Sequence, residues 1–226
     1  MAEWHYVSSG GDRYPVKPHE VWRAGPHRLA CGDLEAGDGL RLIGRFGRPP
    51  DLIYCDPPWN HGNAAAFRTK AGVPRKVNFT TFLDLLMAVV RLARRDVFLE
   101  MGRAGQAHLV ERAERIGGRA VRSWPITYYR RHPATLTQLR FNGAGLEPPD
   151  LAGLDDDDTP GAVMRSCSRP GDVVMDPCMG RGLTAATVGA VQDRTFIGLE
   201  LSPWRMSCAL SKLAALGYAI EREGTL

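Results

Sequence analysis

One stretch limits the fold of this chain more than any other: Leu52-Ile53-Tyr54-Cys55-Asp56-Pro57-Pro58-Trp59, an apolar run halted by a carboxylate, two prolines and an aromatic. Leu52 to Cys55 shows no apolar/polar alternation, the pattern of a strand covered on both faces, as in a parallel sheet. Asp56 then falls at the carboxyl end of that strand, where open α/β sheets place their ligands. The prolines fix φ and remove two backbone donors, so the tip presents oxygen acceptors with little freedom to move. A planar group bearing an NH2 suits such a tip. One hydrogen would go to the Asp56 carboxylate and the other to the Pro57 carbonyl, with Trp59 on the face of the ring. Exocyclic amines of nucleobases have that shape. Cys55, on the strand itself, is expected in the core and not as a nucleophile.

A second strand-and-turn follows about 120 residues later. Val173-Val174-Met175-Asp176-Pro177-Cys178-Met179-Gly180-Arg181-Gly182-Leu183-Thr184 reads as a buried strand, a glycine turn and a helix start. Gly180 and Gly182 let backbone come close to a ligand, and the free amides of a helix start favour an anionic group. The spacing lacks the three glycines of a dinucleotide-binding turn, and no Gly-Lys-Ser/Thr is present, which argues against nicotinamide and nucleoside triphosphate ligands. About twenty residues on, Phe196-Ile197-Gly198-Leu199-Glu200 ends a further strand in an acid, the distance and chemistry expected for a ligand of a ribose diol.

The tip resembles the catalytic Asp-Pro-Pro-Tyr/Trp motif of the amino-methyltransferases that act on adenine N6 or cytosine N4. The turn from Asp176 to Thr184 resembles the S-adenosylmethionine loop of the same family, with Cys178, Arg181 and Leu183 departing from the usual Phe, Ser and Thr. The order, catalytic tip before cofactor loop, resembles the β class of DNA amino-methyltransferases over roughly residues 27 to 216. The resemblance implies a Rossmann-like α/β methyltransferase fold with a mostly parallel central sheet flanked by helices and a circularly permuted motif order. It implies S-adenosylmethionine held by Asp176, Pro177, Cys178, Gly180, Gly182, Thr184 and Glu200. Asp33, in the Gly32-Asp33 pair after the first strand, would take the adenine amine of the cofactor. Asp56, Pro57, Pro58 and Trp59 form the implied catalytic set, acting on adenine N6 in DNA. Cytosine N4, an RNA adenosine target and a noncatalytic nucleic-acid-binding subunit are the alternatives.

A chain of 226 residues suits one large α/β domain, expected over 27–226 behind an extension at 1–26. A formal charge of +4 permits a polyanion partner without demanding one. The five cysteines form no Cys-x-x-Cys pair, so reduced core thiols are expected and no metal. No membrane span is expected, since Leu85 to Val90 is the longest apolar run, and the location expected is the cytoplasm. Residues 60–78 read as a long loop whose Arg68, Lys70, Arg75 and Lys76 would hold DNA phosphates, with Arg130 and Arg131 as further contacts. Regular α/β alternation breaks at 130–159, leaving that stretch for target recognition. Its shortness points to a short site, a homodimer or a helper subunit. The acidic run Asp155 to Asp158 within it is expected to face away from DNA or to dock on a basic surface.

Overall fold

The computed structural model of the protein describes residues 13–73, 76–191 and 193–226. Nine strands form one sheet: β1 (Glu20–Ala24), β2 (His27–Cys31), β3 (Leu52–Cys55), β4 (Asp96–Gly102), β5 (Arg119–Tyr128), β6 (His132–Arg140), β7 (Val173–Asp176), β8 (Thr195–Glu200) and β9 (Ile220–Thr225). The spatial order is β5-β6-β4-β3-β7-β8-β2-β1-β9. The middle five, β4 to β2, are mutually parallel; β6 and β5 extend one side antiparallel, and β1 and β9 the other. The helices are α1 (Asp38–Phe46), α2 (His61–Lys70), α3 (Phe79–Val90), α4 (Arg103–Arg115), α5 (Thr159–Cys167), α6 (Leu183–Ala190) and α7 (Pro203–Ala215). A 3-10 turn at Leu34–Ala36 precedes α1.

Parallel strands need covered faces, and two apolar layers supply the cover. Along β3, Leu52 and Tyr54 enter one layer while Ile53 and Cys55 enter the other, which is why the sequence shows no alternation there. The registers bring β3 and β7 side by side, with Ile53 opposite Met175, and β7 beside β8, with Asp176 opposite Gly198. The Asp56 tip and the glycine turn thus share one edge of the sheet although they lie about 120 residues apart in the chain.

Three sequence expectations differ from the structure. Part of the expected extension is sheet: β1 pairs with β2, and Val16 and Trp22 join the core. The segment after Trp59 is not a loop throughout; α2 occupies His61–Lys70, capped by the Asn60 side chain on the Asn63 amide. Ala64-Ala65-Ala66 carry the helix propensity that the flanking Gly62 and Gly72 obscured. Finally, much of the expected recognition stretch is the buried strand β6. Its Thr135, Thr137, Gln138 and Arg140 are polar yet buried, which hid the strand from hydropathy. Gln138 and Arg140 both donate to Asp96 on β4, at 2.8 and 2.7 Å, and Asp96 also accepts the Leu146 amide at 2.9 Å. No helix among the described residues is long and apolar enough to cross a membrane.

At the other end of the parallel strands His27 is wholly buried. Its Nδ1 accepts the Phe196 amide at 3.0 Å, Tyr218 packs edge-on at 4.6 Å, and Nε2 has no partner. Burial, with a smaller push from Arg28, lowers its pKa to about 4. A histidine whose folded pKa lies below the unfolded value stabilises fully above about pH 6.5 and less as pH falls toward 4, by up to about 3 kcal/mol. In His27→Asn, whose side-chain oxygen can still accept from Phe196, urea unfolding at pH 7.5 and pH 5 should show a smaller loss between the two than the wild type.

Candidate active site

The carboxyl edge of the parallel strands gathers carboxylates. Asp56 follows β3; Trp59, three residues on, donates its indole Nε1–H to Asp56 Oδ1 at 2.9 Å. On neighbouring β4, Glu100 is buried and accepts the Tyr54 hydroxyl. Burial raises the Asp56 pKa to about 7; the Trp59 hydrogen bond opposes the rise, while Asp176 and Asp156 add to it. Glu100 is pushed well above the carboxylate range, first by burial and then by Asp56. Cys55 is a free core thiol, pushed up by burial, as expected for a non-nucleophile.

Beside this tip stands the glycine turn. Asp176 braces it from within, Oδ1 accepting the Cys178 amide at 3.0 Å and Oδ2 the Thr184 hydroxyl at 2.8 Å. Gly180 and Gly182 both adopt left-handed φ, +55° and +78°. A Cβ on Gly182 would strike Ala209 of α7 at 2.4 Å, whereas the same position on Gly180 meets only one atom, at 4.0 Å. Gly182 therefore serves packing, and Gly180 leaves an open approach. Glu200, at the end of β8, is buried and accepts the Ser202 amide at 2.8 Å. Burial lifts its pKa to about 7, against the pull of that amide. Pro177 and Cys178 lie in the turn between these points, and Cys178 packs against the layer that contains Cys55.

The cationic residues divide. Arg68 lies on α2 and turns inward. It is 5% exposed, and its guanidinium donates to Asp33 Oδ2 at 2.8 and 2.6 Å and to Glu35 Oε2 at 2.9 Å. That geometry corrects the expectation of a phosphate contact, since the donors are consumed inside the protein. The same triad places Asp33 under α2, where its Oδ1 takes the Glu35 amide and has capacity for a further donor. Lys70 and Lys76 are exposed, and Arg75 lies outside the described residues.

Arg130 and Arg131 sit at the exposed tip of the β5–β6 hairpin. Within the acidic run, Asp155 and Asp156 accept the Arg130 and Tyr129 amides at 2.8 and 3.0 Å, Asp155 also takes the Thr127 hydroxyl, and the Arg130 guanidinium lies 3.9 Å from the Asp155 carboxylate. Both Tyr129 and Arg130 have left-handed φ, +50° and +56°, a strained choice for residues other than glycine that these bonds offset. The tip carries an aromatic chain: Trp59 to Tyr128 at 4.8 Å, Tyr128 to Tyr129 at 4.4 Å, with Tyr129 66% exposed. Trp124, by contrast, is core.

Neither a protein-family model nor a curated protein matches the chain. Solved structures do. M1.HpyAVI superposes with a TM-score of 0.62 at 15% identity, over 82% of this chain and 98% of that one. TTHA0409 from Thermus thermophilus, complexed with S-adenosyl-L-methionine, gives 0.58 at 19% identity, over 84% and 94%. The cytosine-N4-specific PvuII DNA methyltransferase gives 0.58 at 11%, over 85% and 92%. The fold is thus the α/β fold of DNA methyltransferases, with its mostly parallel sheet. The likeness extends over nearly the whole of each of these neighbours.

Because Arg68 neutralises two enclosed acids, Arg68→Ala should lower folding stability by about 3 kcal/mol or more. Lys70→Ala and Lys76→Ala, at exposed positions, should each change it by roughly 0.5 kcal/mol or less. Chemical denaturation of the three variants compares them directly.

Proposed function

We propose that the protein transfers a methyl group from S-adenosylmethionine to the exocyclic N6 amine of adenine in DNA, on a base turned out of the duplex. One observation carries this reading. The Asp56 tip, the glycine turn and Glu200 end the adjacent parallel strands β3, β7 and β8 at the same edge. An acceptor pair for an amine thus stands next to a cradle suited to a ribosyl ligand. The complexes of M1.HpyAVI and TTHA0409 with S-adenosylmethionine support the cofactor, and the PvuII DNA methyltransferase supports transfer to an exocyclic amine in DNA without choosing the base.

The residues fit the cofactor. Gly180 keeps one side of the turn open, and Glu200 offers a buried carboxylate to a pair of hydroxyls. Asp176, Pro177, Cys178, Gly182 and Thr184 hold the shape of the turn, and Asp33 Oδ1 can accept an amine at the edge of the site. Bound there, S-adenosylmethionine supplies an electrophilic sulfonium methyl. What the chain contributes is acceptance and orientation. An exocyclic amine is a weak nucleophile because its lone pair is shared with the ring. The Asp56 carboxylate and the Pro57 carbonyl each accept one amine hydrogen, draw the nitrogen toward tetrahedral geometry and stabilise the positive charge that develops on it. Pro57 and Pro58 keep the tip rigid, so the acceptors are oriented before the base arrives. The proton released from the amine passes to the Asp56 carboxylate at the tip.

Exposed cations frame the approach to the edge: Lys70 and Lys76 from the α2 segment, Arg130 and Arg131 from the hairpin tip. They serve as phosphate contacts, while the Tyr128–Tyr129 pair gives an extruded base a stacking surface. With β6 absorbed into the sheet, what remains for choosing a sequence is the hairpin tip and the 141–158 connection. So small a surface suits a short recognition site, or one completed by a second copy or a helper subunit. Cytosine N4 is the second reading, favoured by the PvuII likeness.

Asp56→Asn should cut methyl transfer by about 100-fold or more, the usual cost of losing a charge-stabilising group, with cofactor affinity unchanged by calorimetry. In Glu200→Gln the order reverses, with S-adenosylmethionine binding weakened by about 1.5–3 kcal/mol. Only ionised Asp56 accepts both the amine hydrogen and the later proton. With its pKa about 7, kcat/KM should therefore fall as pH drops through 7 and level off above it. Digesting treated DNA to nucleosides decides the base: N6-methyladenine is expected, and N4-methylcytosine alone would replace the adenine assignment.

A further inference from the structure

We propose that Trp59 is a positioning residue, which holds the Asp56 carboxylate by its indole N–H, and that Gly102 is the seat built to receive it. Position 59 follows two prolines and would, on its sequence context, serve as a stacking surface for the target ring. The geometry assigns it elsewhere. Its Nε1–H lies 2.9 Å from Asp56 Oδ1, and the ring packs against both apolar layers of the protein. A Cβ on Gly102, the last residue of β4, would stand 2.7 Å from Trp59 Cε3, 3.2 Å from Cζ3 and 3.3 Å from Cδ2. Gly102 has φ −59° and ψ 145°, a conformation open to any residue, so the missing side chain there answers a need for space and not for backbone freedom. Tyr128 of β5 closes on the same indole at 4.8 Å between ring centroids.

The consequence is a division of labour at the tip. Trp59 fixes Oδ1, which turns the other carboxylate oxygen toward the amine together with the Pro57 carbonyl. The stacking surface passes to the Tyr128–Tyr129 pair. The indole donor also has an electrostatic task, because the groups that face Asp56 are acids or weak acids: Glu100 from β4, Asp176 from β7, Asp156 from the segment before α5, with Tyr54 from β3 and Tyr128 from β5. Among these neighbours the Trp59 N–H is the contact that favours the ionised form. A phenyl ring at 59 fills much of the same seat and lacks that donor.

The test uses the full-length protein with carbonyl-13C aspartate, the Asp56 resonance being identified by its loss in Asp56→Asn. In Trp59→Phe the Asp56 titration midpoint should rise by about one pH unit, the size of one charge-assisted hydrogen bond. Gly102→Ala, which keeps the indole but displaces it, should move the midpoint in the same direction. In the methyl-transfer assay, the acid limb of kcat/KM should shift upward with it, kcat should fall roughly tenfold, and KM for DNA should stay near the wild-type value. An unmoved Asp56 midpoint in folded Trp59→Phe and Gly102→Ala, or a loss confined to KM for DNA, overturns the proposal and returns Trp59 to a stacking role. If Trp59→Phe does not fold, Gly102→Ala decides alone. The rate arm rests on the methyl-transfer reading; should the wild type transfer no methyl to DNA, that reading fails, while the nuclear magnetic resonance titration still judges the clamp.

Discussion

Carboxylates withdrawn from water at one edge of a parallel sheet impose the main constraint on this molecule. Asp56, Asp176 and Glu200 each stand with pKa values raised to about 7, and Glu100 is pushed well above the carboxylate range, in every case first because of burial. Each needs donors, and the donors come from the segment that follows its strand or from a neighbouring strand: Trp59 for Asp56, Tyr54 for Glu100, the Cys178 amide and Thr184 hydroxyl for Asp176, the Ser202 amide for Glu200. Satisfying the acids therefore shapes the loops. A carboxyl group whose pKa is higher in the folded state than in the unfolded one costs stability where the unfolded chain is ionised, so this edge is held together by the rest of the fold and not the reverse. Such concentration of cost at one edge is what a site with work to do looks like.

Elsewhere buried charge does the opposite task, fastening elements to one another. Asp96 receives Gln138, Arg140 and the Leu146 amide, which ties the polar strand β6 and the following connection to β4. Asp51 accepts the Val173 amide at 2.9 Å and joins the start of β3 to the start of β7. The Arg68–Asp33–Glu35 triad ties the segment after the Asp56 tip to the turn after β2. These pairs sit where apolar packing alone would leave the register of neighbouring segments free, and a carboxylate with several fixed donors admits few alternatives.

Asp155 and Asp156 work in the same way on the β5–β6 hairpin, at a shorter range from the active edge. By holding the Tyr129 and Arg130 amides they maintain a turn that would ordinarily call for glycine. A wide aromatic and a cation are thereby presented at the tip where small residues would otherwise be required. The position of this tip beside Tyr128 and Trp59 joins Asp56 to the exposed surface through an unbroken run of rings.

The sequence by itself determined the parallel core and the three strands β3, β7 and β8 within it. An apolar run with no alternation can be satisfied only where both faces are covered, and Asp56, the Gly180–Gly182 turn and Glu200 each follow such a run directly. Most helices were legible for the same local reason, their apolar residues recurring at helical spacing. What the tertiary structure alone decided were the fates of polar residues. Arg68 reads as a surface cation until Asp33 and Glu35, more than thirty residues away, are brought under α2; β6 reads as an irregular stretch until Asp96 receives Gln138 and Arg140; Trp59 reads as a stacking ring until Gly102 and Tyr128 close around it. Hydrophobic burial follows periodicity, which is written along the chain, but the burial of a polar group depends on a specific partner that only the folded chain supplies.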